Sequence, residues 1–270
     1  GIGRHLEQTT NVLHMDSSSV TVTWLPMYHD YGLICNYLTA LYSGFRLVCM
    51  SPLDFMKNPV AWGDLLERER ATHTAAPNFA WGLLHKRLGG RVLDLTALIH
   101  ADVAAEPIDP RTLDLMVQFG VPVKAISQTY GLAEAIAHVC SGGSGVVDGV
   151  PSCGDLTNGP NRVVIVDNDL HSLPDGTVGR IFIQGEAFAV GYWARPELTK
   201  ATFQNRVSDH EGMWLDTGDL GFVKAGQLHV TGRAKETLIV HGRNVWPTDL
   251  ERTIIDAFPG VVRPGCVGAY

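Results

Sequence analysis

Between residues 20 and 128, short apolar runs rich in β-branched residues alternate with stretches of helical periodicity. That alternation is the tightest constraint on the fold, because strand, helix, strand at this spacing predicts a parallel α/β unit with right-handed crossovers. Residues 20–25 alternate and predict a strand ended by Pro26. Residues 33–42 predict an apolar helix stopped by Gly44, and 45–50 a second strand. Residues 55–70 predict one amphipathic helix in which Asn58-Pro59 serves as an entry cap. Strands are predicted at 71–75, 98–103 and 121–126, and helices at 80–88 and 110–119.

In an open parallel sheet, ligands sit beyond the carboxyl ends of the strands. The segments that follow strands therefore carry the expected chemistry. One is Gln128-Thr129-Tyr130-Gly131-Leu132-Ala133-Glu134, where Gly131 permits a sharp turn, with a helix or second strand over 133–139. Tyr130 offers a flat face to a planar ring, and Glu134 offers oxygen ligands to a hard cation such as Mg2+. A buried tyrosine and a solvated glutamate at a strand turn explain the same residues without any ligand. His29-Asp30, just past the first strand, is a second candidate; a loop histidine bonded to a carbonyl is its bland counterpart.

Past Cys140 the texture changes. Residues 141–154 are rich in Gly and Ser and predict a loop. Strands are predicted at 162–167, 179–184, around 191–193, at 221–223 and at 227–231, with Gly-rich turns. This half reads as antiparallel β, a barrel-like layer beside the α/β layer. Asp219, placed between two such strands, suits the vicinal hydroxyls of a sugar, or else caps its own turn. Residues 232–244 are dense in basic side chains around a strand at 238–240, and 247–258 predicts a helix with Leu250, Ile254 and Phe258 on one face. A new small domain is expected to begin near Lys235.

With 270 residues, 45% hydrophobic and 18% charged, the chain buries a sizeable core. A net charge of −7 argues against a nucleic-acid partner, which demands clustered Lys and Arg. A nucleotide still binds such a protein through backbone N–H groups and a metal. Five scattered cysteines, Cys35, Cys49, Cys140, Cys153 and Cys266, form no C-x-x-C pair, so free thiols in a reducing, cytoplasmic compartment are expected. No run of about 18 apolar residues predicts a transmembrane segment, and the first ten residues hold no secretory signal.

The order of the pieces is more specific than any one of them. Tyr130-Gly131-Leu132-Ala133-Glu134, Gly191-Tyr192-Trp193, Thr217-Gly218-Asp219, Gly232-Arg233 with Lys235, and Gly242-Arg243-Asn244 with Pro247 and Glu251 together resemble the adenylate-forming (ANL) superfamily. Trp24-Leu25-Pro26-Met27-Tyr28-His29-Asp30-Tyr31-Gly32-Leu33, Pro77-Asn78-Phe79-Ala80 and Ala105-Glu106-Pro107 look like its fatty acyl-AMP ligase branch. The resemblance implies an α/β fold: a parallel α/β subdomain over 1–140, a β-barrel subdomain over 141–234, and the start of a small α+β C-terminal domain over 235–270. It implies ATP-dependent conversion of a fatty acid to an acyl-adenylate, followed by transfer to the phosphopantetheine arm of an acyl carrier protein. Coenzyme A is the alternative acceptor, and a silent adenylate-binding module the alternative to an enzyme.

By resemblance, Tyr130 and Gly131 meet adenine, Glu134 holds Mg2+, and Ala105, Glu106 and Pro107 line the adenine pocket. Asp219 and Arg233 hold the ribose, His29 lies by the acyl carboxylate, and Lys235 is the hinge. The family's phosphate loop belongs upstream of Trp24 and its late catalytic lysine beyond Tyr270. The sequence as it stands is thus expected to be an internal piece, inactive or very slow alone. The insertion usual after the Tyr130–Glu134 motif in the AMP-ligase branch is cut to 141–154.

Overall fold

The computed structural model describes residues 1–143, 145–157, 159–236, 238–240, 243–245, 247–258, 261–262 and 267–269. The chain divides into two compact units, residues 1–162 with 185–190, and residues 163–184 with 191–270.

The first unit is built on a parallel sheet. Its strands are β1 (Val20–Thr23), β2 (Arg46–Cys49), β3 (His73–Ala76), β4 (His100–Val103) and β5 (Ile126–Gln128). They lie in the order β2-β1-β3-β4-β5, each neighbouring pair parallel. Helices α1 (Ile2–Val12), α2 (Thr39–Ser43), α3 (Pro52–Lys57), α4 (Pro59–Arg68), α5 (Asn78–Leu88) and α6 (Pro110–Gln118) fill the connections, with a wide π-type helix over Tyr31–Leu38 running into α2. Helix α5 packs between α4 and α6, while α1 packs on the π-type helix and α2.

An aromatic core locks this arrangement. Trp24, at the end of β1, stacks on Phe55 at 4.1 Å between centroids, and Trp62 meets Trp81 at 4.7 Å. Phe55, Trp62 and Trp81 are fully buried. Burying one such Phe stabilises by roughly 1.5–3 kcal/mol. The Trp81 indole N–H reaches the Ala76 and Asp102 carbonyls at 3.1 and 3.2 Å, and so pins the ends of β3 and β4 together.

Several local expectations are corrected. The helix expected over 55–70 is two helices, because Pro59 has no N–H to continue the first and starts α4 instead. The strand expected over 121–126 is mostly a 3-10 turn, Val123–Ala125, with pairing only at β5. Residues 141–154 are not all loop. They include the hairpin of β6 (Val146–Val147) and β7 (Val150–Asp155), closed by Asp148-Gly149 with φ of 50° and 79°. Asp-Gly between apolar residues is a two-residue hairpin signal.

In the second unit, β8 (Arg162–Val166), β9 (Gly179–Gln184), β10 (Leu215–Lys224) and β11 (Gln227–Arg233) follow the order β11-β10-β9-β8, with β10 antiparallel to β9 and β11. Val164, Val166, Phe182, Val207 and Trp214 form its core. No strand forms at 191–193. That segment lies against α7 (Pro196–Phe203), where the Thr199 hydroxyl accepts the Tyr192 N–H at 2.9 Å and Tyr192 meets Phe203 edge-on. Beyond lie the antiparallel pair β12 (Leu238–Val240) and β13 (Arg243–Val245), then α8 (Pro247–Ala257). Leu250, Ile254 and Phe258 of the predicted helix face are exposed.

Candidate active site

Because the strands of the first unit are parallel, β1, β3, β4 and β5 all end at one edge of the sheet. The segments leaving that edge are 24–31, 77–79, 104–107 and 129–134, which hold every candidate of the first half: His29, Ala105, Glu106, Pro107, Tyr130, Gly131 and Glu134. This is where an open parallel sheet places its ligands.

Tyr130 is buried and its backbone is paired back on the chain. Its N–H donates to the Cys140 carbonyl at 2.9 Å, and its carbonyl accepts from Val139 and Cys140 at 3.0 and 3.2 Å. Gly131 is required by this close return rather than by its backbone angles: a Cβ there would sit 1.6 Å from the Ala137 carbonyl oxygen. The segment between is neither an extended helix nor a strand. It is a single 3-10 turn, Ala133–Ala135, that leaves through left-handed Ile136 and Ala137, φ of 57° and 82°. Glu134 is half-buried on this turn, and its carbonyl accepts the Ala189 N–H at 2.9 Å.

The 105–107 turn is tied to the start of α5. Asn78 donates through Nδ2 to the Pro107 carbonyl at 2.9 Å and accepts the Asp109 N–H at 3.0 Å. The Glu106 carboxylate accepts the Phe79 N–H at 3.3 Å, where the helix N-terminus favours negative charge. Ala105 holds a left-handed φ of 72°, a conformation that costs roughly 1–2 kcal/mol outside glycine. His29 is exposed on the turn after β1. Its Nδ1 lies 2.7 Å from Asp30 Oδ1 and 3.2 Å from the Tyr31 backbone nitrogen. The turn is tight: a Cβ at Gly32 would meet the Pro26 carbonyl oxygen at 2.1 Å.

One residue at this edge escaped the sequence reading. Asp102, on β4, is 1% exposed. Its Oδ1 accepts from Thr129 Oγ1 at 2.8 Å and lies 2.8 Å from His100 Nε2, while Oδ2 accepts from the Tyr31 hydroxyl. Burial pushes its carboxyl up, but the nearby His100 charge and the bonds from Tyr31 and Thr129 outweigh that and hold it down to about 2. Burial, with the Asp102 charge, pushes the Tyr31 phenol well up, so it stays a donor. The only sequence signal is a carboxylate inside an otherwise apolar run, 101–105.

In the second unit Asp219 lies inside β10, not in a turn between strands. The β9–β10 register shifts between Asp216 and Leu220, and the β10–β11 register between Leu220 and Gly221. Such bulges re-aim a side chain. Asp219 pairs in register with Arg233 of β11, with Arg233 Nε 3.5 Å from Asp219 Oδ1. Lys235 is exposed in the turn that follows β11. Gly242 of the later motif and Cys266 lie outside the described residues.

Among the described residues no group of three or more His, Cys, Asp or Glu is placed to hold a metal ion, and no helix is long and apolar enough to cross a membrane. A lone carboxylate suits Mg2+, which binds through one or two carboxylates, waters and a substrate's phosphates rather than a protein cage.

Comparison with known proteins shows the family. Residues 4–193 match the AMP-binding enzyme family. The chain is 34% identical over 281 residues to the medium-chain-fatty-acid–[acyl-carrier-protein] ligase JamA of Moorena producens, covering 91% of this chain and 48% of that protein. It is 35% identical over 273 residues to the long-chain-fatty-acid–AMP ligase FadD28 of Mycobacterium tuberculosis, covering 88% and 47%. The crystal structure of a fatty acyl-adenylate ligase from L. pneumophila, in complex with acyl adenylate and pyrophosphate, superposes with a TM-score of 0.81 at 31% identity, covering 94% of this chain and 50% of that one. The chain thus spans about half the length of the relatives it matches. It belongs to the AMP-binding, adenylate-forming enzyme family.

Proposed function

We propose that the polypeptide carrying this chain activates a fatty acid with ATP. An acid oxygen attacks the α-phosphorus, the acyl–O–P bond forms, and the bond to the bridging oxygen breaks with its electron pair leaving on pyrophosphate. The acyl group then passes from the adenylate to the phosphopantetheine thiol of an acyl carrier protein, releasing AMP. The observation that carries this reading is the Tyr130–Glu134 turn at the carboxyl edge of a parallel sheet, in a chain whose relatives are named for fatty-acid ligation.

In this reading Tyr130 stacks on adenine, with Gly131 and the Ala105-Glu106-Pro107 turn beside it. Asp219 and Arg233 hold the ribose hydroxyls. His29 lies by the acid being activated. Glu134 holds a Mg2+ ion, whose charge offsets that developing on the phosphate oxygens. Lys235 is the hinge between an adenylation domain of two subdomains, 1–140 and 141–234, and a mobile C-terminal domain that starts at 235. The thiols of Cys35, Cys49 and Cys140 are free, which suits a reducing cytoplasm.

The test is pyrophosphate release by the full-length protein with ATP, Mg2+ and a series of fatty acids, followed by acceptor choice. Release with acyl transfer to a carrier protein is the expected result. Transfer to coenzyme A instead would reassign the acceptor. Adenylate binding without turnover for any fatty acid would overturn the enzymatic reading.

A further inference from the structure

We propose that Asp102 is a positioning residue: one buried carboxylate ties the His29 loop, through the Tyr31 hydroxyl, to the end of β5, through the Thr129 hydroxyl, and so sets the spacing between His29 and Tyr130. Its role in catalysis rests on the function proposed above; the tie itself does not.

The two hydroxyls come from distant parts of the chain, 71 and 27 residues from Asp102. One belongs to the residue before Tyr130. The other lies two residues after His29. Both segments leave the sheet at the same edge. The His29 turn is held by its own backbone, His29 N–H to the Pro26 carbonyl at 3.1 Å and Leu33 N–H to the His29 carbonyl at 2.9 Å, and the Thr129 segment by Thr129 N–H to the Val103 carbonyl at 3.1 Å and the Tyr130–Cys140 pairing; the Asp102 carboxylate is the group that both segments share. Asp102 is fixed in turn by β4, by the His100 ring and by the Trp81 indole on its carbonyl.

A fully buried carboxylate is costly unless its oxygens are satisfied, and an apolar residue of similar volume packs as well or better. A charge kept at such a position holds its donors in one geometry, and both donors here are neighbours of candidate site residues. A loss at either end leaves the anion under-satisfied and is felt at the other end.

The experiment uses the full-length protein with Tyr31→Phe, Thr129→Val, Thr129→Ser, Asp102→Asn, and Tyr31→Phe combined with Asp102→Asn. At a temperature well below each variant's Tm, Tyr31→Phe, Thr129→Val and Asp102→Asn are expected to lower kcat for adenylate formation about tenfold, the scale of one charge-assisted hydrogen bond. Thr129→Ser, which keeps the hydroxyl, is expected to retain wild-type kcat. In the Asp102→Asn background Tyr31→Phe costs little more, because both act through one group. Unchanged kcat in the single variants, or multiplicative losses in the double variant, overturns the proposal.

Amide hydrogen exchange supplies a readout independent of turnover. Thr129→Val is expected to speed exchange across 29–33, at the far end of the tie, and Thr129→Ser to leave it slow. Faster exchange confined to 127–131 overturns the tie. A wild-type protein that forms no adenylate overturns the proposed function alone, and the exchange experiment still decides whether Asp102 couples the two segments. Should Asp102→Asn fail to fold, the Thr129→Val and Thr129→Ser pair decides it.

Discussion

Arg233 Nε lies 3.5 Å from Asp219 Oδ1 across two paired antiparallel strands, and the two partners differ sharply in exposure: the Asp219 side chain is 12% exposed and that of Arg233 69%. The carboxylate is the sheltered member, on a stretch of β10 where the register with β9 shifts between Asp216 and Leu220. The pair's cation is largely exposed, and an ion pair of that kind contributes little to the fold. Asp219→Ala is expected to weaken ATP binding by about 1.5–3 kcal/mol, as losing charge-assisted hydrogen bonds does, with Tm nearly unchanged. Calorimetric titration of the full-length protein reads this, and an unaltered affinity removes Asp219 from the ribose.

Gly131→Ala tests the tight return of the Tyr130 turn. The added Cβ would have to displace the Ala137 backbone carbonyl, which sits where no flexible side chain can yield. We expect a loss of about 3 kcal/mol or more, at the upper end of overpacking effects. Urea unfolding measures it. A loss under about 0.5 kcal/mol, the scale of a neutral surface change, shows that the return is looser than described.

The frame of the site was legible in the sequence because it rests on local pattern. β-branched runs marked β1 to β4, and the residues after them marked the sheet edge. What stayed hidden depends on partners far along the chain. Nothing in 98–103 says that Asp102 finds Tyr31 and Thr129. The bulge at Asp219 is likewise a mismatch between three strands, invisible in any one of them, and a Gly beside an Asp reads as a turn until the ladder is seen. The 191–193 segment has strand composition, yet α7 offers it a hydroxyl and an aromatic ring, and that packing overrides propensity. The Asp148-Gly149 hairpin was readable and was missed, because Gly and Ser around it mask a two-residue turn signal.

Stability should fall as pH drops from about 6.5 towards 4. Burial holds His138 down to about 4 and lowers His5 similarly, whereas unfolded histidine titrates near 6.5. Between those values the unfolded chain binds more protons, so the stabilisation is complete above about 6.5 and is lost on acidification. His100 has the opposite sign. Burial lowers its pKa but the Asp102 charge more than compensates, so its contribution is present below about 6.5 and lost as pH rises through its folded value. Among the described residues His138 Nε2 has no hydrogen-bond partner, and its side chain is buried, so His138→Leu sacrifices no hydrogen bond at Nε2. The variant is expected to flatten the slope of Tm against pH between about 6.5 and 4 while leaving the His100 limb intact. An unchanged slope shows that His138 does not titrate on unfolding.

Glu134→Gln separates metal binding from nucleotide binding. The substitution keeps the size of the side chain, removes its charge and replaces one acceptor oxygen with an NH2 donor. The carbonyl of residue 134 still accepts the Ala189 N–H, so the turn has no backbone reason to move. Mg2+ draws most of its ligands from water and phosphate, so one lost carboxylate weakens the site without abolishing it. The Mg2+ concentration needed for half-maximal adenylate formation should rise about tenfold or more, in line with one lost charged contact. Affinity for AMP measured without metal should stay at the wild-type value, because in the proposed site adenine and ribose meet other residues. The two measurements fail differently. Loss of metal-free AMP binding makes Glu134 a structural support of the Tyr130 turn, whereas an unmoved Mg2+ dependence assigns the ion to another carboxylate.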